Sequence, residues 1–186
     1  MKRIIPLLLL VLLITGCSGG NSQMDRAMEL RSQLQKSTGC SFESVITADY
    51  GDKIYTFAME CRTDQAGNLS FTVTEPESIS GISGTVSEDG GKLTFDDVAL
   101  AFELLADDQV TPVSAPWILI HTLRGGYLTA CGEENGILRL SIDDSYEDDA
   151  LHLDVWLDEG DLPARGEILW DGRRILSVEV RNFEYL

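Results

Sequence analysis

Histidine is scarce in this 186-residue chain: there are two, His121 and His152, far apart in sequence. No Cys-x-x-Cys occurs among the four cysteines, so a zinc site lacks its usual ligand spacing. Also missing are the Gly-x-Ser-x-Gly elbow, His-Glu-x-x-His, a Walker loop and a dinucleotide-binding glycine pattern. With none of these, no catalytic residue, metal or cofactor is expected, and a non-enzymatic role follows. Positive charge is short as well. Fourteen Lys and Arg face 31 Asp and Glu, a net charge of −17, which excludes nucleic acid as a partner and any electrostatic hold on anionic lipid. The apolar run Ile4 to Ile14 is too short to span a bilayer as a mature helix.

That run has another use. Lys2 and Arg3 precede it as a positive n-region, and it ends in Ile14-Thr15-Gly16-Cys17. The four residues resemble the lipobox of bacterial lipoproteins. The resemblance implies that residues 1–16 are a signal peptide and that Cys17 carries a diacylglyceryl thioether, with acyl groups such as palmitate. Two or three acyl chains, at about 0.8 kcal/mol per buried CH₂, make such an anchor effectively permanent. Residues 17–22 then form a short tether, and the mature chain carries 12 Lys and Arg against 31 Asp and Glu, net −19. The place implied is extracytoplasmic, on a bacterial membrane. In a two-membrane cell, Ser18 after the lipidated cysteine is compatible with the outer one.

Residues 23–186 read as one domain, long enough to bury a core. Met24, Ala27, Met28, Leu30 and Leu34 recur at helical spacing ahead of Gly39 and predict an amphipathic helix with one face for a sheet. From Cys40 the period becomes two. Phe42, Ser44, Ile46, Ala48 and Tyr50 alternate, then Tyr55, Phe57, Met59 and Cys61 after Gly51-Asp52, a two-residue II′ hairpin turn. Pairing across that turn sets Cys61 opposite Phe42 and diagonal to Cys40. A single bulge would join the sulfurs, so a Cys40–Cys61 disulfide is expected over two buried free thiols. Strand-like runs continue through Leu69–Val73, Ile82–Val86, Leu93–Phe95, Val98–Leu104, Ile137–Ile142 and Leu151–Leu157. A last hairpin turns on Asp171-Gly172, a strong type I′ signal.

Amid these strands stands Ser114 to Gly126. Ser114 is expected to cap a helix, with Pro116 in its first turn and Gly125 or Gly126 ending it in the left-handed region. Trp117, Ile118, Leu119, Ile120 and Leu123 point in nearly every direction, and a helix apolar all round must be covered on several sides. The fold class expected is therefore α+β: a curved antiparallel sheet of about 9–11 strands, by count of runs, forms an incomplete barrel around this helix. The N-terminal helix adds to it.

That layout, together with the tail from Asp161-Leu-Pro163 through the Asp171-Gly172 hairpin to Asn182-Phe183, resembles the LolA/LolB-like superfamily. These are outer-membrane lipoprotein carriers and receptors, with mycobacterial lipid-carrying lipoproteins and clostridial germination lipoproteins beside them. Thr72 to Pro76 and the Pro116-Trp117 helix start carry it further. The resemblance implies that helices close the mouth of a half-barrel and that an acyl chain, or an acylated protein, is held in the hollow. Tyr55, Phe57, Phe71, Trp117, Ile120, Leu153 and Trp156 are the candidate lining, although an ordinary core wants the same residues. The other reading is a non-catalytic scaffold, presenting its acidic surface to a cell-envelope or spore-cortex enzyme.

Overall fold

The computed structural model describes residues 22–96, 98–106, 109–147 and 150–186. The expected signal peptide, the expected lipidation site Cys17 and the expected tether of residues 17–22 lie outside them, except for Ser22, which already begins a helix. Among these residues are two α-helices, α1 (Ser22–Lys36) and α2 (Ala115–Gly125). Eleven strands make one sheet: β1 (Cys40–Asp49), β2 (Ile54–Thr63), β3 (Leu69–Glu75), β4 (Ser83–Ser87), β5 (Gly90–Phe95), β6 (Val98–Phe102), β9 (Tyr127–Glu134), β10 (Ile137–Asp143), β11 (His152–Leu157), β12 (Pro163–Trp170) and β13 (Arg173–Tyr185). Between β6 and α2, β7 (Leu105–Ala106) pairs with β8 (Gln109–Val110) in a hairpin of its own. No described helix is long and apolar enough to cross a membrane.

Every pairing in the large sheet is antiparallel, in the order β6-β5-β4-β3-β2-β1-β13-β12-β11-β10-β9. The two halves of the chain are thus two meanders, joined where β1 meets β13. The expected α+β half-barrel and its strand number are what the structure shows. Period-two patterning explains the register. Ile46, Met59, Leu69, Leu140, Ile142, Leu153, Ile168 and Leu176 all fall on the inner face and are fully buried. The hairpin turns follow their residues: Gly51 takes φ 84° in the first turn, and Asp171 and Gly172 take 49° and 69° in the last.

Helix α2 lies inside the curve, buried from Ala115 through Ile120 and again at Thr122 and Leu123. Its contacts reach β10, β12 and β13. Gly166 makes the approach possible, since a Cβ there would stand 2.9 Å from a Leu119 methyl.

Three local expectations give way. Ser114 does not cap α2, because a 3-10 turn over Pro112–Ser114 already places it at φ −84°, ψ −12°; its hydroxyl donates to the Thr111 carbonyl instead. Neither Gly125 nor Gly126 is left-handed, Gly126 being extended at φ −66°, ψ 170°. The carbonyls at that end are taken by α1: Arg31 Nη2 donates to the Gly126 oxygen at 2.7 Å and Gln35 Nε2 to that of Arg124 at 3.0 Å. Finally, α1 buries only Ala27, Leu30 and Leu34, whereas Met24 and Met28 are exposed. The helix packs on α2 and β9, and one narrow stripe suffices for that contact.

The disulfide also fails to form. Phe42 does stand opposite Cys61, as the pairing predicted, but the β1–β2 register runs without a bulge. Cys40 and Cys61 therefore remain free on a diagonal, where the distance is too great for a bridge. Each thiol has a hydroxyl neighbour instead, Thr63 at 3.2 Å from Cys40 and Ser44 at 3.4 Å from Cys61. Burial pushes the Cys61 thiol up to about 12 and raises that of Cys40. A thiol-specific reagent should thus modify the half-buried Cys131 of the native chain well before the other two. Peptide mapping after a short alkylation checks this. Equal labelling at all three positions, or a Cys40–Cys61 linked peptide, would contradict the structure.

Candidate functional site

The candidate hollow is the space between α2 and the inner face of the sheet. Phe57, Phe71, Trp117, Ile120 and Leu153 are brought there together, each buried in the one continuous core. Most of the space is occupied by these side chains themselves. Tyr55 shares the inward parity of Phe57 but sits at the strand end, 48% exposed, with its ring edge-on to Tyr50.

Trp156 is not in the hollow. It pairs with Arg139 and Arg165 and so lies on the outer face, while Leu153, Val155 and Leu157 point in. Its indole is held between the two guanidinium groups, at 5.2 and 4.8 Å from the ring centre, and its Nε1 donates to Glu134 at 2.9 Å. The sequence read it as lining because it is aromatic; alternation with buried Val155 was the contrary signal.

Trp117 is tied down on one side and free on another. Its Nε1 donates to the Gly67 carbonyl at 3.0 Å, so the β2–β3 hairpin grips it. Arg124 adds a second tie, to the Gln65 carbonyl at 3.3 Å. The other side of the indole stacks on His121, 4.4 Å between ring centres. Beyond them opens a cleft of about 200 Å³, lined by Leu104, Val110, Ile118, Leu151 and the acidic side chains of Glu88 and Asp144. His121 is thus a rim residue, exposed at the mouth.

A second cleft, of about 250 Å³, lies beyond Val110 between Tyr50, Trp170 and Ile175, with the charged Asp49, Asp171 and Arg173 also lining it. Val110 is buried and lines both. Its carbonyl accepts the Tyr50 hydroxyl at 3.0 Å, fixing the β8 end of the small hairpin over the mouth. Sequence reading missed this arrangement. Nothing in the stretch from Leu105 to Pro112, or in a single apolar Val110, signals that two clefts meet there.

No family model matches the chain, and no curated protein does. Similar solved structures include a LolA superfamily protein from Nitrosomonas europaea, 9% identical, covering 86% of this chain and 93% of that one at a TM-score of 0.47. The Mycobacterium tuberculosis lipoprotein LppX is 13% identical, with coverages of 87% and 93% and a TM-score of 0.41. A chain in the complex of the CwlD amidase with the GerS lipoprotein from Clostridioides difficile is 12% identical, with coverages of 91% and 99% and a TM-score of 0.44.

The outer face holds a polar network of its own. Asp154 is 4% exposed although it points away from the core. Arg139 reaches it at 2.6 and 3.2 Å, Ser141 Oγ donates to it at 2.6 Å, and His152 Nε2 lies 3.5 Å away. His152 Nδ1 is also 2.6 Å from Asp143. Burial alone would raise the Asp154 carboxyl, but the hydrogen bonds from Arg139 and Ser141 and the charges of Arg139 and His152 outweigh it and hold it below the ordinary range. The serine is bonded to the aspartate and not to the imidazole, so this is no activated nucleophile.

Proposed function

We propose that this chain is a lipid-anchored, extracytoplasmic binding module that holds an acyl chain, or an acylated protein, at the mouth of its half-barrel. The observation carrying this reading is the pair of clefts that meet at Val110, one beside Trp117 and one beside Tyr50, each with an apolar wall and a charged rim. Each is below the roughly 300 Å³ at which small-ligand pockets begin, and together they reach that range. The apolar lining suits an acyl chain, and the acidic rim of Glu88 and Asp144 disfavours a free anionic headgroup beside it.

The lipobox-like Ile14-Thr15-Gly16-Cys17 and the tail from Asp161 to Phe183 support the same role and place. No covalent chemistry belongs to this reading: the chain would take up and release its ligand unchanged.

Native mass spectrometry of residues 18–186 purified from cells, followed by titration with a fluorescent fatty acid, tests the proposal. Co-purified lipid or saturable binding is expected. A consistently empty protein that ignores the probe would refute it.

A further inference from the structure

The inner face of the sheet does not stop where its cover stops. Phe71 pairs across to Gly84, Gly84 to Leu93, and Leu93 to Leu100, so the buried row runs outward onto β5 and β6. Past β4 neither helix is among its main packing partners. On this shelf Phe95, Val98 and Leu100 are 55, 60 and 64% exposed. Ala99 and Ala101, on the other face, are exposed too. Among the described residues β6 is paired only with β5, leaving one row of its backbone N–H and C=O groups open. An apolar strand with an open edge is a template for another strand, and sheet proteins normally blunt such edges.

Charge decides among the occupants. Residues 83–104 hold five acids, Glu88, Asp89, Asp96, Asp97 and Glu103, against the single cation Lys92. A second copy pairing antiparallel along this edge would bring Asp96, at one end of β6, against Glu103 at the other. Like charges directly opposite destabilise a ladder, and each copy carries a net −17 besides. A bilayer fits no better, because the acidic Asp96 directly follows Phe95 at the end of β5 and would enter the headgroups beside it.

We infer that the free edge of β6 takes up an extended segment of a cationic partner protein. Apolar side chains of that segment cover Leu100 and Val98, and its Lys or Arg residues meet Asp96 and Glu103. This surface is separate from the clefts at Val110, and the inference does not depend on acyl binding there.

The test uses the full lipidated chain in zwitterionic nanodiscs and an acetylated ten-residue peptide of alternating Val and Lys. Anisotropy gives affinity, and hydrogen exchange read by mass spectrometry locates the contact. The peptide should slow exchange over residues 98–102. A Glu-for-Lys peptide should bind at least tenfold more weakly, as should the Lys peptide to Leu100→Ser, whose melting temperature should match the wild type. Absence of binding, equal binding by Leu100→Ser, or protection located elsewhere would overturn the proposal. So would protection of residues 98–102 before peptide is added, since lipid or a second copy would then already cover the edge.

Discussion

Trp117→Ala should lower the unfolding free energy by about 3 kcal/mol and weaken fatty-acid binding at least tenfold, or 1.4 kcal/mol. Buried aromatic truncations typically cost about 3–5 kcal/mol through lost burial and the cavity left behind. Two features pull Trp117 in opposite directions. The indole hydrogen bond to Gly67 and the stack on His121 are lost with the ring, which adds to the cost. The cleft beyond already lacks partner atoms, so fewer contacts disappear than in a closed core. The lower end of the range follows. Leu176→Ala is the control, fully buried on β13 and lining neither cleft, and should cost about 2–5 kcal/mol without changing affinity. Chemical denaturation and a fluorescent fatty-acid titration measure the two quantities. A full stability loss at Trp117 with unchanged affinity would make the helix a plug and remove the binding proposal.

A loss of similar size is expected from Arg139→Ala, on the outer face and lining neither cleft. Removing one partner of a buried ion pair leaves the other charge uncompensated, at a typical cost of about 3–5 kcal/mol. Asp154 keeps Ser141 and His152, and Arg139 itself is partly exposed, so about 3 kcal/mol is expected. The indole of Trp156 also loses one of its two flanking cations. Adding Asp154→Asn should recover part of the loss, since no buried charge then remains. The pH dependence has a definite sign. The folded Asp154 carboxyl is depressed, so its contribution is fully present above the ordinary aspartate value near 3.9 and disappears as pH falls through its lower folded value. The deficit of Arg139→Ala should accordingly shrink in acid, as Asp154 becomes protonated in both proteins. Urea midpoints between pH 2 and pH 7 measure it; a deficit independent of pH would mean that Arg139 acts through packing alone.

Alternation and turn chemistry are local, and everything that depends on them was legible in the chain. Phe42 opposite Cys61, the Gly51-Asp52 and Asp171-Gly172 turns, and the inward set from Ile46 to Leu176 follow from period two and positive φ. So does the central helix, since no amphipathic stripe separates Trp117, Ile118, Leu119 and Ile120 into a covered and an open side. What the sequence could not contain is which neighbours arrive from elsewhere. Arg31 and Gln35 of α1 take over the end of α2 that a left-handed glycine was expected to close. A missing bulge keeps Cys40 from Cys61, and a bulge depends on how β1 is held on both sides. Alternation with Val155 already sets Trp156 and Asp154 on the outer face, but the Arg139 and Arg165 side chains that make an aromatic and a buried charge acceptable there come from the flanking strands. Whether the hollow is open was likewise undecidable from composition, because a core and a lipid site call for the same side chains. Only the packed arrangement shows Phe57, Phe71, Ile120 and Leu153 filling the interior and Val110 dividing the remaining space at its mouth. Contacts between residues distant in sequence are set by how the whole sheet curves, and no local pattern encodes that curvature.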